Sequence, residues 1–144
     1  VQRSAWALMA FFLPAALLGP TGRGGLIASA TAEAAGATIE YPRISRWQAD
    51  EQVIVRLPPS ASGEVEVELS KGFTERFEIE AVRPEPSRVE AAASGQRYRF
   101  DVAPGPGGKA ITFHVRSDHP FFARRIEARV GDAPRSPMTI TVLP

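Results

Sequence analysis

Three glutamates stand at alternate positions in the run Glu64-Val65-Glu66-Val67-Glu68-Leu69. Carboxylates in a row are raw material for metal binding or for general acid–base catalysis. On a strand they would lie about 6.8 Å apart along one face, given a rise of about 3.4 Å per residue. A charged outer face is also a common guard against edge-to-edge aggregation, and the three are expected as a solvated face. The two histidines are His114 and His119. His114 has the polar parity of its strand, opposite in sense to Phe113 and Val115, and His119 lies in the following turn beside Asp118. Placed across a strand end, they are not expected to share a metal. A Ser-His-Asp triad needs a histidine in hydrogen-bond reach of a serine and a carboxylate, and the chain has no nucleophile-elbow motif.

Two glycine-rich stretches fare no better. Gly22-Arg23-Gly24 lacks the strand–turn–helix context of a dinucleotide fingerprint. The loop Ala103–Gly108 runs between two strand patterns rather than opening a helix, so no phosphate role follows. Nothing selects a carboxylate pair for sugar hydrolysis. No catalytic, cofactor-binding or metal-ligating residue is expected, and no cofactor.

The stretch Asp118–Arg125, DHPFFARR, has a different kind of chemistry. Adjacent phenylalanines on a strand point to opposite faces, so one ring is exposed unless a loop covers it. Exposed aromatics flanked by arginines have the composition of a protein interface hot spot or of a membrane-surface contact. The candidate interaction residues are Phe121, Phe122, Arg124 and Arg125. Parity carried back from Ile126, Ala128 and Val130 would turn Phe122 and Arg124 inward on an unbroken strand. An inward Arg124 would be a costly unpaired charge. The strand is therefore expected to start or bulge near Ala123–Arg125, with Phe121 as the exposed ring.

The elements that must position these residues read as strands. Ile39 and Tyr41 share one parity in Ala37–Ile44, ATIEYPRI, and Pro42, which cannot donate to a ladder, marks this first strand as an edge. Val53, Val55 and Leu57 alternate in Gln52–Leu57; Val65, Val67 and Leu69 alternate in Glu64–Leu69. Ser70–Arg76 is a turn, with Phe73 and Phe77 at the spacing of one helical turn. Phe77, Ile79 and Ala81 then oppose Glu78, Glu80 and Val82, and Val89 and Ala91 form a short strand. Tyr98, Phe100 and Val102 follow, then Ile111, Phe113 and Val115, then Ile126, Ala128 and Val130, and last Met138, Ile140 and Val142. About eight strands with turn signals at spacings near 8–12 residues predict an all-β, immunoglobulin-like antiparallel β-sandwich. The thirteen prolines and twelve glycines supply the punctuation.

Ahead of this domain lies Ala5–Leu18, AWALMAFFLPAALL, inside an uncharged run from Ser4 to Gly22 bounded by Arg3 and Arg23. As a helix this run spans about 28 Å, against a hydrocarbon core of about 30 Å. Trp6, Leu8, Met9, Phe11, Phe12, Leu13, Leu17 and Leu18 are its expected membrane-anchor residues, with Trp6 near an interface. Pro14 is tolerated in a membrane helix, and Gly19-Pro20 ends it. The competing reading is a cleaved signal segment, with Arg3 as n-region and small-residue sites at Ala28-Ser29-Ala30 and Ala32-Glu33-Ala34. A buried core helix is disfavoured, since no other segment carries a matching apolar stripe. The organisation expected is residues 1–22 as membrane helix or signal, 23–36 as small-residue linker (helical in part over Leu26–Ala35), and 37–144 as the β-sandwich. Both main readings export the β-domain. A net charge of +1 argues against nucleic acid as a partner. The absence of cysteine excludes a disulfide staple, a lipoprotein attachment and a thiolate metal site.

Gly24-Gly25, Ala30-Thr31-Ala32, Glu40-Tyr41-Pro42-Arg43, Phe77-Glu78-Ile79-Glu80, Pro84-Glu85-Pro86 and Tyr98-Arg99-Phe100 carry a resemblance over nearly the whole chain. The chain resembles a family of small bacterial single-pass membrane proteins with an exported β-domain, of the kind found beside YetF-like membrane proteins. Phe121-Phe122 departs from that pattern, where smaller residues would be expected. The resemblance implies a membrane protein or membrane complex as partner, and transfers no catalytic residue. The function expected is a non-enzymatic accessory subunit in the bacterial inner membrane, its β-domain in the periplasm or outside. The alternative is a secreted periplasmic binding domain, for carbohydrate for example, or a small periplasmic enzyme.

Overall fold

The computed structural model describes residues 29–34 and 36–144. The expected anchor residues from Trp6 to Leu18 lie outside the described residues. Among the described residues, no helix is long and apolar enough to cross a membrane.

A strand that is apolar on one face must bury that face against another layer. The chain does this with two sheets. In order, its elements are β1 (Ser29–Ala34), β2 (Ala37–Pro42), β3 (Ile44–Arg46), β4 (Asp50–Leu57), β5 (Gly63–Ser70), α1 (Lys71–Thr74), β6 (Phe77–Arg83), β7 (Arg88–Ala92), β8 (Gly95–Val102), β9 (Lys109–Ser117), β10 (Phe121–Val130) and β11 (Ser136–Leu143). One sheet has the order β1-β2-β4-β9-β6. The other has the order β3-β11-β10-β5-β8-β7, and its β3–β11 pair is parallel. The fold is all-β and sandwich-like. Ile39, Val53, Val55, Ile111, Phe113 and Val115 from the first sheet meet Val67, Leu69, Phe100, Ile126, Met138 and Ile140 from the second in one core. Phe113 is the pivot, with Tyr98 and Phe100 edge-on to it at centroid distances of 5.2 and 6.3 Å.

Four local features differ from the sequence reading. Ser29–Ala34, expected as linker with some helix, is strand β1, paired along its length with β2. Its small residues leave Ala30 and Ala32 half-buried against the core, too little apolar surface to register as a strand pattern. Gly36, at φ +75°, lies at the turn between the two strands. As a result β2 is an interior strand, not an edge. Pro42 sits beyond the last β2–β4 pair, Glu40–Ile54, so its missing N–H costs that ladder nothing. A register shift between Ile79 and Ala81 in β6 brings Val82, not Ala81, to the half-buried side opposite Phe113. The short strand β3 is an added element, marked only by the single buried Ser45.

The turn after β5 is organised by Phe73 of α1, which stacks on Phe77 at 5.0 Å, both rings buried. Gly95 opens β8 against the end of β5. A side chain there would place its Cβ 1.9 Å from the Leu69 carbonyl oxygen, and its φ of +148° suits glycine alone.

Candidate functional site

The candidate interaction residues lie at one end of the sandwich. β9 finishes at Ser117, and β10 begins at Phe121, whose partner is Val142, an inward position. The Phe121 ring follows, edge-on to Phe77 at 5.7 Å and to His119 at 5.9 Å. The register then shifts before Arg124. Phe122 and Ala123 occupy the bulge. Ala123 adopts φ +44°, and its N–H donates to Thr141 Oγ1 at 3.0 Å. The bulge lies close to where the charge argument expected it, but Arg124 keeps the parity of Ile126, opposite Ile140, and is nonetheless exposed, and the outcome for the rings is reversed. Phe121 is half-buried, and Phe122 is the projecting ring, 79 % exposed. The inserted residue gives Phe122 no inward place, while pairing with Val142 turns Phe121 towards the core.

Three further apolar side chains, unforeseen from the sequence, are exposed at the same corner: Ile44 on β3, Trp47 just after it, and Leu143 at the end of β11. Ile44 and Leu143 have the outward parity of paired strands, since Ile44 opposes Thr141 and Leu143 opposes Arg46. Trp47 is fastened at both ends. Its backbone N–H donates to the Leu143 carbonyl at 2.7 Å, and its indole Nε1 donates to the Asp118 carbonyl at 3.2 Å. This ties the turn after β3 to the turn before Phe121. Arg43, Arg46, Arg124 and Arg125 are exposed around the same corner. Among the described residues, none of these four has a carboxylate within ion-pair distance.

The outer face of the six-stranded sheet is the opposite case. A row of alternating charge, Glu90–Arg97–Glu68–Arg129, crosses β7, β8, β5 and β10 by direct cross-strand pairing. Glu68, expected on a solvated face, is only 2 % exposed. It accepts from Ser94 Oγ at 2.8 Å, Arg97 Nε at 3.1 Å, Arg129 Nη2 at 2.7 Å and Arg135 Nη2 at 2.9 Å. Strand parity was right, but the arginines of neighbouring strands and of the β10–β11 turn fold over the carboxylate. Burial pushes its pKa up. The hydrogen bonds from Ser94 and Arg97 and the charges of Arg129 and Arg135 outweigh burial, holding the carboxyl below the usual range. With four donors on two oxygens, Glu68 has no lone pair aimed at a substrate. It is a structural ion cluster, not an acid–base group.

Among the described residues, two open grooves flank the sandwich. The larger, about 570 Å³, runs between the β6 and β7 edges over Phe77, Ile79, Val82, Val89 and Tyr98, with Glu78, Glu80 and Glu85 on its rim. Tyr98 is held by donating its hydroxyl to Gln96 Oε1 at 2.6 Å, and burial raises its pKa. The smaller, about 400 Å³, lies by Leu57, Pro58 and Gly131. Neither contains a histidine. His114 is half-buried on β9 between Gln52 and Ala81, and His119 lies against Phe121. Among the described residues, no group of three or more His, Asp or Glu side chains is placed to hold a metal ion. No protein-family model and no curated protein matches this chain.

Proposed function

We propose that the protein is a non-enzymatic accessory subunit, anchored in the bacterial inner membrane by its apolar N-terminal run, with the β-domain in the periplasm or outside, bound to a membrane protein or complex. The observation that carries this reading is the coincidence of two features at one end of the fold. Ser29, the first described residue of β1, lies opposite Pro42. Pro42 leads directly into Arg43 and Ile44, and the Arg43 carbonyl accepts from the Thr141 N–H at 2.9 Å. The chain arriving from the apolar run therefore joins the domain at the corner that carries the exposed aromatic rings and the arginines that meet no carboxylate among the described residues. An anchor entering there holds Phe122, Arg124 and Arg125 at the level of the bilayer. Confinement beside the membrane also raises the effective concentration of the domain for a membrane partner.

Strand β1 favours retention of the apolar run over cleavage at the small-residue sites. Cutting after Ala30 would sever β1, and cutting after Ala34 would remove it. The second cut also loses the hydrogen bond from Ser136 Oγ to the Glu33 carbonyl, 2.8 Å long. Within the domain, we read the strand neighbours as immunoglobulin-like. β2, β4, β9 and β6 stand as A, B, E and D, while β11, β10 and β5 stand as G, F and C. The departure is the β7–β8 hairpin, which extends the sheet beyond β5 but follows β6 in sequence.

The test is purification in several mild detergents, with mass spectrometry of co-purifying proteins and N-terminal sequencing. The reading requires an uncleaved N-terminus and a reproducible membrane-protein partner. A protein that is released from membranes by carbonate with its N-terminus intact, or that stays monomeric in every gentle detergent, contradicts it.

A further inference from the structure

We propose that the corner formed by β3, the start of β10 and the end of β11 rests on the bilayer surface itself and binds anionic phospholipid headgroups. This rests on the anchored reading above. Six residues, 23–28, separate the end of the uncharged run from Ser29. Fully extended, they reach at most about 20 Å. With the run in the bilayer, the corner beside Ser29 is held within that distance of the headgroups.

The side chains presented there are those an interface selects. Trp47 is half-exposed, with its indole Nε1 bonded at the protein surface to the Asp118 carbonyl, and tryptophan is favoured at the membrane–water boundary. Phe122 projects from its bulge as the most exposed large apolar side chain among the described residues. Of the five exposed large apolar side chains among the described residues, only Val89 lies elsewhere, on β7. Charge divides the surface in the same way. On the broad sheet face Arg88, Arg97, Arg99, Arg129 and Arg135 all meet carboxylates. At the corner, Arg43, Arg46, Arg124 and Arg125 meet none among the described residues; the acids nearby are Asp118, exposed in the adjoining turn, and Glu51, half-buried and accepting from Ser45 Oγ at 2.8 Å. Guanidinium groups free of carboxylates are available to pair with lipid phosphates. The occupant that fits both the apolar rings and the free cations, at the reach the chain allows, is an anionic bilayer surface.

The chain has two tryptophans, Trp6 and Trp47, so single-tryptophan reporters separate anchoring from docking. Full-length Trp6→Phe and Trp47→Phe proteins are reconstituted in vesicles of phosphatidylethanolamine and phosphatidylglycerol carrying lipid quenchers at shallow or deep positions. The proposal expects Trp47 to be quenched by the shallow label. It also expects the ratio of docked to undocked domain to fall about fivefold for each of Arg124→Gln and Arg125→Gln, from the attraction of one basic residue to an anionic surface. Phe122→Ser should weaken docking in the same assay, with circular dichroism reporting that the fold is intact. Quenching of Trp6 with none of Trp47 leaves the anchor standing and overturns the docking. Quenching of neither removes the anchored reading, and the docking with it. Shielding of Trp47 only when a co-purified membrane protein is added assigns the corner to that protein and overturns lipid binding.

Discussion

Removing the charge of Glu68 tests whether the cross-strand ion cluster stabilises the fold. Glu68→Gln keeps the shape but takes the negative charge from beneath Arg97, Arg129 and Arg135. Breaking a buried pair from one side costs about 3–5 kcal/mol, because the partners keep an uncompensated charge. Here the three arginine side chains are 36 %, 30 % and 41 % exposed and can turn to water. Gln also retains one acceptor for them. We therefore expect a smaller loss, about 2–3 kcal/mol at neutral pH. For a domain of this size that is a fall of about 8–12 °C in Tm. The folded pKa of Glu68 lies below its unfolded value, so its contribution is present above the unfolded pKa of about 4.3. It is lost as pH falls through the lower folded value. Urea unfolding of the full-length protein in mild detergent, followed by near-ultraviolet circular dichroism, measures both. The wild-type advantage should be flat from pH 7 to about pH 5 and close below the ordinary carboxylate range. A variant as stable as wild type at pH 7, or an advantage that grows on acidification, would refute the assignment of Glu68 as a stabilising ionised group.

The remaining predictions concern packing. Gly95→Ala should cost about 2–3 kcal/mol or prevent folding, since the new Cβ meets the Leu69 carbonyl and the backbone is strained; the urea midpoint reports it. Phe121→Ala should lose about 2–3 kcal/mol, less than a fully buried phenylalanine, because it sacrifices the edge contacts with Phe77 and His119. Phe122→Ala should stay within about 0.5 kcal/mol of wild type, and equal destabilisation by both variants would contradict the bulge geometry. Ser136→Ala should cost about 1 kcal/mol and speed hydrogen exchange in β1, because Ser136 Oγ ties that strand to the other sheet through Glu33.

Alternation by itself determined most of the sandwich. Val53, Val55 and Leu57, or Ile111, Phe113 and Val115, bury one face whatever their neighbours, because side chains on a strand repeat every second residue. A break near Ala123 was legible too, though not for the reason the charge argument gives: Arg124 keeps the parity of Ile126, opposite the buried Ile140, and escapes burial by lying exposed at the end of the sandwich. Tertiary structure decided what depends on a neighbouring strand. Ser29–Ala34 has too little apolar surface to announce itself, and becomes β1 only because the β2 edge offers it a ladder. Glu68 has solvent parity, yet is buried by arginines 29, 61 and 67 residues away in sequence. The choice between Phe121 and Phe122 fell to the partner Val142, which no local pattern names. The corner of Ile44, Trp47, Phe122 and Leu143 exists only because a parallel pairing of β3 with β11 brings the two halves of the chain together. A periodic signal reports which face of a strand is apolar; only the pairing of strands says what stands across from it.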